Sequence, residues 1–200
     1  MRKYQRGFTL VEIAIVLVII GLLLGGVLKG QEMIENAKYK SLRNEINAYS
    51  AAFYAFQDRY RALPGDFDQA STRIDSAAPN GNGNGAIAGG ACNRTNDESC
   101  ILWQQLRYAG LISGKPADSG SNANPNHSYG GQIRGIYTGT NGGVSGNWMI
   151  LQNVPVDVAR RLDEDIDDGQ SRSGSVYCAT GRCSSGYPTS GNPVEIRIKI

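Results

Sequence analysis

Three hydrophobic regimes follow one another along the chain. The first runs from Phe8 to Leu28, FTLVEIAIVLVIIGLLLGGVL, where Thr9 and Glu12 are the only polar side chains. As a helix, at roughly 1.5 Å per residue, this segment reaches about 31 Å, enough to cross a bilayer. The second regime is a stripe. Tyr39, Leu42, Ile46, Tyr49, Phe53, Phe56, Tyr60 and Leu63 recur at spacings of three and four, with charged and amide residues between them. That period predicts one buried face of an amphipathic helix. A coiled-coil seam has the same spacing, but so aromatic a stripe suits a broad packed surface better. No proline interrupts until Leu63-Pro64-Gly65-Asp66, which turns the chain. One helix from Phe8 to Leu63 is therefore expected, with a membrane part at 8–28 and an amphipathic continuation at 29–63.

The third regime, residues 64–200, alternates polar loops with short apolar runs. Ser99–Gly110 reads as a helix capped by Ser99 and ended by Gly110. Residues 155–166 read as another, with Val158, Leu162 and Ile166 on one side. Strands are expected at Ile133–Thr138, Trp148–Asn153, Ser175–Thr180 and Val194–Ile200. The last is the clearest, since Val194, Ile196, Ile198 and Ile200 alternate with Glu195, Arg197 and Lys199. The expected fold class is α+β: a long N-terminal helix packed on a small antiparallel sheet, with long Gly/Asn/Ser-rich loops.

Charge changes this picture at one place. The net charge of +2 is too small for a protein built to bind nucleic acid, and no basic stripe accompanies Tyr129, Arg134 and Tyr137, so no nucleic-acid partner is expected. Yet Arg2, Lys3 and Arg6 lie within the first seven residues, which hold no acid. Without this leader, 1–7, the chain carries 17 basic and 18 acidic residues, or −1. A basic leader before an apolar helix keeps the N-terminus cytoplasmic and sends the rest of the chain outside. A cleaved secretory signal would need small residues after its apolar core, and Gly25-Gly26-Val27 is a poor version of that site. A plain signal anchor leaves Glu12 without a reason. A carboxylate among Val11, Ile13 and Ile15 is costly in hydrocarbon and calls for a function and a partner.

Gly7-Phe8-Thr9-Leu10-Val11-Glu12 ahead of a long apolar helix resembles the processing signal of type IV prepilins and type II secretion pseudopilins. The resemblance covers about the first third of the chain. It implies cleavage between Gly7 and Phe8 by a prepilin peptidase, N-methylation of Phe8, and assembly with like subunits into a helical filament. The other implied partners are the inner membrane and the assembly-platform proteins. The implied location is single-pass in the inner membrane, with the globular domain 64–200 periplasmic until a periplasmic or cell-surface filament forms. Glu12 is then the assembly residue, meeting the cationic amine of Phe8 on a neighbour, a pairing that relieves the buried carboxylate and sets axial register. Many relatives have a proline near the position of Lys29. Here Gly21, Gly25, Gly26 and Gly30 loosen the helix instead, or let neighbouring helices approach closely. Pilin and pseudopilin, and major and minor subunit, stay open. A tip subunit that binds DNA, surfaces or secreted substrate is the alternative within this class.

The remaining candidate chemistry is sparse. Cys92, Cys100, Cys178 and Cys183 allow three disulfide connectivities. Their gaps are wider than zinc pairs, and bridges within each close pair are the simplest reading in an oxidising space. The resemblance adds that a bounded loop near the C-terminus, here Cys178–Cys183, suits the family. Asp163, Asp165, Asp167 and Asp168 before Gly169 invite a calcium reading, but they miss the EF-hand spacing, and a solvated helix face explains them as well. No other cofactor is expected. Pro79–Gly85 reads as a flexible loop, not a phosphate cradle, since no strand precedes it. His127, the only histidine, reads as an ordinary loop residue. Nothing resembles a catalytic constellation, and no enzyme activity is expected.

Overall fold

The computed structural model describes residues 9–200. Its elements in chain order are α1 (Leu10–Tyr60), α2 (Ala70–Arg73), α3 (Glu98–Tyr108), β1 (Ile133–Asn141), β2 (Val144–Val154), α4 (Val156–Ile166), β3 (Val176–Cys178) and β4 (Val194–Lys199), with short 3-10 turns at Gly120–Ala123 and Gly181–Cys183. Two compact units divide the chain, Met1–Lys40 and Ser41–Ile200, and α1 contributes to both.

The described part of the first unit is helix. Its apolar side chains are exposed from Leu10 to Ile34, including Leu17, Val18, Leu22 and Leu28. Mean hydropathy over its best window is 2.8, so α1 contains a segment long and apolar enough to cross a membrane.

In the second unit the stripe becomes core. Leu42, Ile46, Phe53, Phe56 and Tyr60 are buried, and Tyr49 meets Trp103 of α3 edge-on at 5.3 Å between ring centroids. Such aromatic pairs add about 1 kcal/mol beyond their buried area. α1 stops at Tyr60, three residues before the expected end. Arg61, at φ 55, leaves the helix in the left-handed region while its amide still bonds Gln57 O at 2.8 Å. Phe67 then folds back onto the rings of Phe56 and Tyr60.

The sheet has the order β1-β2-β4-β3 with every neighbouring pair antiparallel. β1 and β2 form a hairpin through Gly142-Gly143. β4 enters between β2 and β3, pairing Met149 with Ile198 and Ile198 with Val176 on one buried row. α3 packs against β1. The α+β class is thus as the sequence indicates. β3 is shorter than expected because Ala179 and Thr180 already turn toward the Cys183 loop. α3 begins one residue earlier, with Asp97 at its N-cap, and Ser99 lies buried inside the helix instead of capping it. The structure joins Cys92 to Cys100 and Cys178 to Cys183, all four buried.

The loop expected to be flexible is built around two carboxylates. Asp66 accepts the amides of Asn84 and Gly85, each at 2.9 Å. Glu98 accepts those of Asn82 at 3.1 Å and Ala88 at 2.8 Å. Both acids are buried, and donated backbone amides are what make a buried carboxylate tolerable. A Cβ at Gly81 would run into the backbone of Gly65 and Asp66, so only glycine lets the strands of this loop approach so closely. Composition misled here, because the polar loop is satisfied by acids distant in sequence.

Candidate functional site

At the start of α1, Thr9 and Glu12 close on each other. The Thr9 amide and hydroxyl both donate to Glu12 Oε2 at 2.8 Å, and the Glu12 amide donates back to Thr9 Oγ1 at 3.2 Å. This is a capping box, which satisfies orphan amides at a helix N-terminus. The Thr-x-x-Glu spacing was readable in the sequence. What it adds is that the carboxylate has a partner within its own chain. Among the described residues no donor reaches Oε1. Gly7 and Phe8, the expected processing residues, lie outside the described residues.

The acidic run divides. Asp163, Asp167 and Asp168 come together, each offering an oxygen within 4.8 Å of the others. Asp165 does not join them. It projects from another face of α4 and meets Arg43 of α1 at 3.2 Å, because residues two apart on a helix point in different directions. Asp167 is the C-cap residue of α4, and its Oδ2 accepts the amides of Ser175 and, at 3.2 Å, Val176, fixing the entry to β3. A side chain at Gly174 would collide with that carboxylate, and Gly174 sits at φ +66, so the position suits glycine on both counts. Asp168 caps the following turn, accepting from Gln170 N at 2.8 Å and Ser173 Oγ at 3.0 Å.

Asp163 differs from both. It is fully buried, beside the Tyr187 hydroxyl and the Gly169 amide. Burial, against the lowering pull of the Tyr187 hydroxyl and the Gly169 amide and with the charges of Asp167 and Asp168 adding to it, pushes its carboxyl up to about 6. The Tyr187 hydroxyl lies beside this carboxylate, and burial, followed by the charge of Asp163, pushes its own phenol upward. It lies 24 residues along the chain from Asp163, and no sequence signal pointed to it.

His127 is not an ordinary loop residue. It is buried, with Nε2 2.7 Å from Gln152 O and Nδ1 accepting the Tyr129 amide at 3.2 Å. The two contacts fix the neutral tautomer with hydrogen on Nε2, so the ring ties the 124–132 loop to β2. Burial lowers its pKa, only partly offset by Gln152 O and Glu45. Since the folded value lies below the ordinary one, the unfolded chain takes up the proton first, and stability falls as pH drops below about 6.5. The stability advantage of the natural chain over His127→Gln is expected to be full at pH 7.5 and to shrink steadily toward pH 5. Denaturant titrations of both chains at several pH values check this, and a constant gap would contradict it.

Residues 2–28 match the family model described as the prokaryotic N-terminal methylation motif. The chain carries the prepilin signature of type IV pilins and pseudopilins. The match spans the basic leader, the Thr9–Glu12 capping box and the apolar segment through Leu28. No curated protein and no solved structure matches the chain. The signature fits membrane anchoring through α1 and supports a protein of the type IV pilin or pseudopilin class. His127 and the acids of 163–168 lie outside the matched segment.

Proposed function

We propose that this chain is a structural subunit of a type IV pilus or type II secretion pseudopilus. Prepilin peptidase cuts between Gly7 and Phe8, Phe8 is N-methylated, and the mature subunit waits in the inner membrane with residues 64–200 in the periplasm. The assembly platform then moves it into a filament of like subunits. No catalytic role is assigned to it. The observation that carries this reading is the signature match over 2–28, which coincides with an exposed apolar helix capped by Thr9 and Glu12.

The physical logic follows from the membrane as solvent. Exposed side chains such as Leu17, Leu22 and Leu24 match lipid before assembly and other helices after it. Glu12 is the one charge in this stretch of α1. The capping box holds its Oε2, and the amine created at Phe8 of a neighbour is a suitable partner for Oε1. The two bridges Cys92–Cys100 and Cys178–Cys183 suit an oxidising compartment. Sheared surface filaments should contain the chain in its shortened form. Cells lacking prepilin peptidase should retain only the full-length precursor in the membrane, and a shortened chain in those cells would contradict the proposal.

A further inference from the structure

We propose that Asn80, Asn82 and Asn84 are latent deamidation sites, which the folded subunit holds closed and which convert to aspartate once the 79–88 loop opens. Three of the chain's four Asn-Gly pairs follow one another there, as Asn80-Gly81, Asn82-Gly83 and Asn84-Gly85. Such a pair carries its own reaction. The glycine amide nitrogen attacks the side-chain carbonyl carbon of the asparagine, forming a C–N bond and closing a succinimide ring. The amide proton passes by way of solvent to the leaving side-chain nitrogen, which departs as ammonia. Water then opens the ring, at one carbonyl to aspartate and at the other to isoaspartate. Glycine favours the attack because no side chain screens its nitrogen.

The attack needs both reacting groups free to reach a near-attack geometry. The structure engages both in all three pairs. The amides of Gly81, Gly83 and Gly85 donate to Phe67 O at 2.8 Å, Asp66 O at 2.8 Å and Asp66 Oδ2 at 2.9 Å. The side-chain oxygens are held as well. Asn80 Oδ1 accepts the Ser71 amide at 2.8 Å, Asn82 Oδ1 that of Asn84 at 3.0 Å and Asn84 Oδ1 that of Ala86 at 2.9 Å. Each nucleophile is thus committed to an acceptor, and each target carbon belongs to an amide fixed by a donor.

Asp66 is the centre of the arrangement. Its backbone oxygen and one carboxylate oxygen hold the nitrogens of Gly83 and Gly85, and its other carboxylate oxygen holds Asn84 N at 2.9 Å. The glycines themselves are required, since Gly81 has no room for a Cβ and Gly83 and Gly85 sit at φ +70 and +85. Reclosing after reaction is disfavoured. Each new aspartate adds a negative charge near Asp66 and Glu98, two acids that are already buried. Isoaspartate adds a methylene to a backbone packed closely on Gly65 and Asp66. Conversion therefore records, in one direction, that the loop has been open, whether or not the chain enters a filament.

The test uses the full-length chain with its disulfides intact, incubated folded in detergent micelles or unfolded in urea at the same mildly alkaline pH. Peptide mass spectrometry reads aspartate and isoaspartate at each site. Unfolding is expected to speed conversion at Asn80, Asn82 and Asn84 at least about tenfold, equivalent to a loop-opening cost of about 1.4 kcal/mol or more. Asp66→Ala frees the amides of Asn84 and Gly85, so Asn84 should convert at least about tenfold faster than in the folded natural chain. Asn80, held by Ser71, should change less than about twofold in that variant. Ser71→Ala removes the hydroxyl that accepts Asn80 Nδ2 at 3.0 Å and should give the reverse pattern, with Asn80 roughly threefold faster and Asn84 unchanged. Equal rates in the folded and unfolded natural chains, or both variants speeding all three sites alike, would overturn the proposal.

Discussion

Replacing Glu12 by leucine is expected to leave the subunit inserted in the membrane and to remove it from filaments, with incorporation reduced to about a tenth or less of normal. Leucine is favourable in hydrocarbon, so insertion should be as good or better. What is lost is the only acidic side chain of the apolar segment 8–28, and with it the pairing expected to set axial register between identical helices. Glu12→Gln separates charge from hydrogen bonding. It can still accept from the Thr9 amide and hydroxyl, so the cap should survive while assembly fails. Quantifying the chain in membrane and sheared-filament fractions checks both variants. Normal incorporation of either would contradict the role assigned to Glu12.

The second large effect lies in the folded unit. Gln105→Met is expected to destabilise it by about 4 kcal/mol. Gln105 is fully buried on α3, where Oε1 accepts the Gly65 amide at 2.7 Å and Nε2 donates to Phe67 O at 3.0 Å and Pro79 O at 2.9 Å. One side chain thus satisfies three backbone groups of the turn after α1 and the start of the 79–88 loop. Methionine fills nearly the same volume, so the loss reports unsatisfied polar groups, each costing roughly 1–3 kcal/mol, and not a cavity. For a unit of this size that corresponds to a fall of about 8–16 °C in the thermal midpoint. Gln57→Met, on an exposed face of α1, should change stability by no more than about 0.5 kcal/mol. A loss below about 1 kcal/mol for Gln105→Met would show that water or a shifted loop takes over its bonds.

These two residues mark what the sequence could and could not disclose. Glu12 was legible because its environment is set by immediate neighbours: a charge in an apolar run stands out, and Thr9 lies three residues away. The aromatic stripe of α1 and the alternation of β4 were legible for the same reason, since helical and strand periods are local. Gln105 gave no signal, because its partners Gly65, Phe67 and Pro79 come from another part of the chain. Glycine and asparagine in 79–85 read as a flexible loop, yet Asp66 and Glu98 order it through backbone amides. The acidic run was visible as composition, but only the fold separates Asp165, on Arg43, from the three acids that converge. Tyr187 and the burial of Asp163 needed the folded chain to appear at all.

The central claim is that this chain is a processed filament subunit, and the mass of its native N-terminal peptide tests it most directly. The chain would be purified from the cells that make it, cleaved, and its first peptide sequenced by mass spectrometry. A mature chain of 193 residues beginning at Phe8, with one added methyl on the α-amine, is the result expected. A chain that still begins at Met1, or one cut near Gly26 so that the apolar helix is lost, would contradict it.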